Sequence, residues 1–193
     1  IWGSDRPPVP FSPFRVHPIE YAGITVAEKI TKIRKEMNTK KATLAVFCTL
    51  DDVAYLLNVR STGDVATCPV GIAYATVSMD EVTLYCDERK VKDPVMQEHL
   101  KGVMMKPYDG IVADIRSHCD TKGHKVWLDK SRAIFALSSV IPEKSLVDAQ
   151  NAVTPMKAVK NQAELAGMRQ AHIVDGVAMA KFVSLLEYTI LTE

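Results

Sequence analysis

Five histidines, four cysteines and one pair of adjacent aspartates are the first side chains to weigh for chemistry in this 193-residue chain. None stands in a pattern that commits it to catalysis. His17, His99, His118, His124 and His172 never recur at i, i+4, the spacing that sets two imidazoles on one helical face for a metal. His118 and His124 flank a glycine turn and could chelate a surface metal, although solvated loop histidines are far commoner. His172 reads as a semi-buried helix histidine. Cys48, Cys68, Cys86 and Cys119 include no C-x-x-C pair, so they read as reduced, mostly buried thiols rather than zinc ligands or a disulfide framework. No Ser, Cys or Thr lies in a nucleophile turn, and neither the dinucleotide nor the P-loop glycine spacing occurs. Asp51 and Asp52 point in different directions on a helix, so one metal cannot take both from one face. They read as helix cap and first-turn acid. Asn58, Arg60 and Asp64 follow a helix end and could rim a cleft, leaving them as weak binding candidates. The expected set of catalytic residues is empty, and so is that of metal ligands.

The elements that would position these residues follow from patterning. Apolar residues make up 47% and charged residues 24%, the balance of an ordinary folded protein. The 24 Lys and Arg against 23 Asp and Glu leave +1, no footprint for nucleic acid or an anionic membrane. The longest uncharged run, Val65 to Met79, falls short of the ~20 residues of a membrane span. Asp5 to Phe14 holds four of the ten prolines and reads as a linker or strap. Its Pro-x-x-Pro spacings could also suit a proline-recognising module.

Thr25 and Glu28 form a capping box, and Ile30, Ile33 and Met37 extend one helical face. Ala42 to Phe47 reads as a buried strand. Asp51 is expected to cap a short helix through Leu57. Val70–Val77 and Val82–Cys86 read as an antiparallel hairpin. Helices are expected from Pro94 towards Val103, from Asp109 to Cys119, and from a Ser131 cap to about Ser139. Short strands fall at Lys125–Asp129 and Leu146–Asp148. Alternating helices and strands with one hairpin imply an α/β fold, a mixed sheet flanked by helices. Asn161 and Glu164 form a second capping box. Leu165, Met168, His172, Met179, Phe182 and Leu186 then mark a long C-terminal helix to Tyr188, about 40 Å at 1.5 Å per residue. The missing initiator Met and unfinished last helix suggest a piece of a longer protein.

Three blocks in order resemble the three-domain Xaa-Pro aminopeptidases of the creatinase/prolidase metallopeptidase family. Ile1 to Pro7 resembles the connector after that family's first domain. Asp51 to Arg60, then Gly63-Asp64-Val65, Pro69-Val70 and Tyr74-Ala75, resembles its middle-domain signature. Lys157 to Asn161, then Glu164, Gly167-Met168-Arg169, Ala171-His172 and Asp175, resembles the start of its catalytic domain. Ser61-Thr62 stand before Gly63 where the family usually has Arg-Gly directly. The resemblance implies a creatinase-like middle domain over residues 21–152. Residues 1–20 would be a proline-rich linker from a first domain, and 153–193 the first helical segment of a catalytic domain. It implies a cytoplasmic parent that removes the N-terminal residue from peptides with proline second, using two divalent metals, usually manganese, and forming a homodimer. The family's ligands, two Asp, one His and two Glu, match no residue here. The acids after Val153, namely Glu164, Asp175, Glu187 and Glu193, read as helix cap and surface. The chain alone is therefore expected to be inactive, to hold no cofactor, and to fray or self-associate through residues 162–188. The rival expectation is a peptidase-like module without activity that binds peptides or proteins.

Overall fold

The strand Ala42–Phe47 expected from sequence is Leu44–Phe47 (β2), buried at every position, because it lies inside a sheet covered on both faces. The computed structural model describes residues 2–192. Ile1 and Glu193, counted above in the connector and among the terminal acids, lie outside them. β4 (Tyr74–Ser78) and β5 (Val82–Tyr85) form the expected hairpin, joined through the Ser78–Glu81 turn. Val70–Ala73, expected in strand, instead leads into it as loop. β6 (Met104–Lys106), β7 (Val126–Leu128) and β8 (Leu146–Asp148) complete a six-stranded mixed sheet in the order β6-β5-β4-β2-β7-β8. The three-residue β6 gives no periodic signal of its own; it exists because it pairs in parallel with β5.

Side chains alternate across the sheet. Ala45, Phe47, Ala75, Val77 and Leu84 face one layer, where Ile33 and Met37 of α2 (Val26–Lys40) and Val53 and Leu56 of α3 (Leu50–Leu56) bury them. Leu44, Val46, Tyr74 and Tyr85 face the other, closed by Ile111 and Ile115 of α5 (Ile111–Asp120). α4 (Pro94–His99) begins on Asp93, whose carboxylate accepts from Val95 N and Met96 N. The Thr25 capping box of α2 is formed as its sequence requires.

Two expected caps are displaced. Thr49, not Asp51, occupies the N-cap position of α3, and no side chain bonds there. Ser131 caps nothing; its hydroxyl donates to Asp129 Oδ1, and the helix that follows is the single turn α6 (Phe135–Ser138). In both cases the short polar side chain found a closer partner than the helix it was expected to open.

The proline-rich strap is laced to the domain. Phe14 is buried in the core, and β1 (Arg15–Val16) pairs antiparallel with β3 (Val59–Arg60). α1 (Ile19–Ala22) ends at Gly23, whose φ of 67° favours glycine. α7 (Val153–Ala158) sends Val153 into the core. α8 (Gln162–Thr192) is the expected long helix, opened by the reciprocal Asn161–Glu164 box and four residues longer than patterning placed it. Apolar residues lie around its whole circumference, and none of its residues is buried. His172, read as semi-buried, is exposed there.

Candidate functional site

α3 ends in a left-handed Asn58, φ 50°, and its last carbonyls are claimed by cations. Arg60 donates to Ala54 O at 3.0 Å and Val59 O at 2.9 Å. Lys29 donates to Tyr55 O and, at 2.6 Å, to Asn58 Oδ1, with its ammonium 3.8 Å from the Tyr55 ring centroid. Asn58 Nδ2 in turn donates to Ile24 O at 3.0 Å. Lys29 is 1% exposed and has no carboxylate partner among the described residues. Burial, then the charge of Arg60, pull its pKa down to about 7, with Glu164 at the start of α8 opposing. What partly compensates the amine is the negative end of α3.

Asp64 belongs to a different network. Its carboxylate accepts from Ser12 N and Ile72 N, each at 2.7 Å, and pairs with the buried Lys90. Lys90 also donates to Ser12 O at 3.1 Å. The proline-rich strap is thus tied to the loop after β3. Of the three cleft-rim candidates, the structure brings Asn58 and Arg60 together at the end of α3 and sets Asp64 apart. Asn58 and Asp64 are buried, 4% and 7% exposed, with their polar atoms committed to partners inside the chain.

A third network joins α3 to α7. The Lys157 ammonium meets both Asp51 and Asp52, and Arg132 lies 3.5 Å from each. Asn151 donates to Asp52 Oδ2 at 2.8 Å and accepts from Val153 N and Thr154 N, so one amide caps α7 and holds α3. The first-turn reading of this aspartate pair therefore omitted its main partners. A metal-sharing test asks what one helix face can hold, whereas Lys157 arrives from another element. Lys29 had left a signal: it sits four residues before Ile33, on the apolar stripe of α2, where a lysine must bury its head.

Acid–base or nucleophilic chemistry has little to work with. Burial pushes the Cys48 thiol up to about 11 and Cys86 to about 12, so both stay protonated. All four cysteines are free; Cys86 is buried, Cys48 and Cys119 are partly so, and Cys68 is exposed. The His118 and His124 rings lie 4.3 Å apart, with His118 Nε2 2.8 Å from Thr43 Oγ1. The Thr43 hydroxyl also lies 2.9 Å from Lys125 O and accepts from Lys125 N at 2.9 Å. His99 Nε2 donates to Leu57 O at 2.8 Å. Among the described residues, no group of three or more His, Cys, Asp or Glu is placed to hold a metal ion, and no helix is long and apolar enough to cross a membrane. The three charged networks fix the strap, α3 and α7 relative to one another.

Comparison with known proteins agrees with this architecture. The creatinase/prolidase N-terminal domain model matches residues 5–164. A probable Xaa-Pro aminopeptidase P of Aspergillus niger is 38% identical over 97% of this chain and 31% of its own length. Another of that name, from Talaromyces stipitatus, is 38% identical over 97% of this chain and 29% of its own. The chain thus spans under a third of the relatives it matches. Among solved structures, the X-prolyl aminopeptidase of Caenorhabditis elegans, described as a cytosolic enzyme with a di-nuclear active site, superposes with a TM-score of 0.91. It is 31% identical and covers 98% of this chain and 31% of its own. The Xaa-Pro dipeptidase of Bacillus anthracis shares the fold, with a TM-score of 0.61 at 12% identity over 83% of this chain and 44% of its own. With a mixed sheet flanked by helices and a family match over most of its length, the chain belongs to the creatinase/prolidase N-terminal domain family.

Proposed function

We propose that this chain is the non-catalytic portion of an Xaa-Pro aminopeptidase and serves as scaffold beside the catalytic domain. Such an enzyme releases the N-terminal residue from peptides with proline second. The observation that carries the reading is the superposition on the nematode enzyme, which takes in 98% of this chain but 31% of that one. Residues 21–152 are then a middle domain and 1–20 its connector. Residues 153–193 open the catalytic domain, with α8 exposed here because that domain's other elements would cover it. The parent would work in the cytoplasm, as a homodimer, with two divalent metals, manganese by preference.

The residues present do not fit such a metal pair. Among the described acids after Val153, Glu164 is spent on capping Asn161 N, and Asp175 and Glu187 lie exposed on α8. No catalytic step is therefore assigned to this chain. Asn58, Arg60 and Asp64 act by holding the ribbon and strap in place.

The test is to incubate the chain with manganese and an Xaa-Pro peptide beside a protein lengthened to the full span of its relatives. Cleavage by the longer protein alone is expected. Product from the 193-residue chain above a blank would overturn the scaffold reading. Peptide binding without cleavage by the longer protein would favour an inactive peptide-binding module instead.

A further inference from the structure

A cavity of about 530 Å³ lies between β1, the first turn of α2 and the end of α4. Its size is that of a small-ligand pocket. Val16, Ile30, Val82 and Val103 give it apolar walls. Its polar lining is His17, Thr25, Asn58, His99 and Lys101, with no carboxylate among them. Asn58 and His99 are already bonded within the chain and the Thr25 hydroxyl is held by Glu28, which leaves His17 and Lys101 as side chains able to meet a guest. Lys101 also pairs with Glu98 at 3.3 Å, but both side chains are more than three-quarters exposed and the contact is weak.

The basic groups acting on His17 are Arg60, Lys29 and Arg15, and the carboxylates on the lining side chains are Glu28 at Thr25 and Glu98 at Lys101. In the β1–β3 ribbon, Arg15 stands directly opposite Arg60, and alternation puts His17 on the same face. Like charges in opposite register repel. No ion pair among the described residues involves Arg15 or Arg60. Burial first, then the charges of Arg60, Lys29 and Arg15, hold the His17 imidazole below its ordinary range. By contrast, the polar cavity beside α5 mixes Glu81 and Asp114 with Lys106.

We propose that this cavity binds a small organic carboxylate with an aliphatic body, the carboxylate taken by His17 and Lys101 and the body by the valine and isoleucine walls. The site is separate from the peptidase reading and survives or falls without it. The Lys101 ammonium supplies the selectivity for an anion, and the apolar walls favour an organic one over phosphate or sulfate.

The test is titration of the chain with N-acetyl-L-leucine, followed by amide and imidazole NMR shifts. N-acetyl-L-leucinamide and inorganic phosphate serve as controls. Saturable shifts at His17, Lys101, Gly102 and Val103 are expected, with the amide and phosphate each at least about tenfold weaker, the worth of one charge-assisted hydrogen bond. Lys101→Glu, at an exposed position, should weaken the carboxylate about tenfold or more and leave the amide unchanged. Ala27→Phe, on the exposed first turn of α2, should block the cavity. Equal binding of acid and amide, shifts centred elsewhere, or no saturation by the acid would overturn the proposal.

Discussion

Lys90 and Asp64 form an ion pair in the interior, their side chains 3% and 0% exposed. The lysine follows β5, the aspartate lies in the loop after β3, and both also bond the backbone of Ser12. A pair this buried is held by geometry and added hydrogen bonds, since desolvating two charges consumes most of their attraction. Asp64→Ala therefore strands the Lys90 ammonium and should cost about 3–5 kcal/mol in urea unfolding. Adding Lys90→Met to that variant should recover part of the loss. If the double variant is no more stable than the single one, the stranded charge is not the cause.

Lys29 makes stability depend on pH in a direction that can be worked out. Its folded pKa is about 7, against 10.5 for a lysine in water. Between these values the unfolded chain holds the proton and the folded chain does not, so this group's contribution to stability rises with pH. Below about pH 7 both states are protonated and the contribution is flat. The stability of wild type minus that of Lys29→Met should therefore climb from pH 7 towards 10; a pH-independent difference would contradict the assignment.

Lys157 joins two acids that a single helix presents at different angles. Lys157→Met leaves Asp52, fully buried, with Arg132 and Asn151 as its remaining partners. The expected loss is about 2–3 kcal/mol, the lower side of a broken buried pair because Arg132 stays. Hydrogen exchange should show the change first in α7, and α2 should be unaffected.

The root of α8 is fixed by Asn161, which donates to Ala22 O at 2.8 Å and accepts from Glu164 N at 3.0 Å. A Cβ on Gly23 would come within 2.3 Å of Asn161 Oδ1 at a φ that already disfavours it. Asn161→Ala should cost about 1 kcal/mol in capping, and Gly23→Ala at least as much in strain and displaced cap. Both should speed amide exchange in the first turns of α8 more than in β2.

The rest of α8 exposes Phe182, Leu185 and Leu186. In dilute solution residues 162–188 should exchange faster than the core strands, and raising the concentration should drive self-association. Protection equal to β2 in a dilute monomer would refute this.

Periodicity exposed the elements that carry their own signal. α2 and α8 announce themselves through capping boxes, β2 through its apolar run, and the β4–β5 hairpin through two runs of strand-favouring residues. The ribbon of β1 and β3 was invisible because a two-residue strand has no period; it forms because Phe14 enters the core and draws Arg15 and Val16 against Val59 and Arg60. The candidate residues were half legible. A helix-end reading singled out Asn58 and Arg60, yet their shared neighbour Lys29 reaches Asn58 across folded space from α2. Asp51 and Asp52 were conspicuous, and Lys157, more than a hundred residues later, was not.

The 31-residue α8 is about 45 Å long and joins the domain near one end. Geometry makes such a rod a lever. A tilt of about five degrees at Asn161 would carry its far tip roughly 4 Å, given 1.5 Å of rise per residue. Small changes in the Asn161–Ala22 contact or in the pairing of Lys157 would thus be magnified at the opposite end, and the aim of whatever that tip supports is set by a few hydrogen bonds at its base.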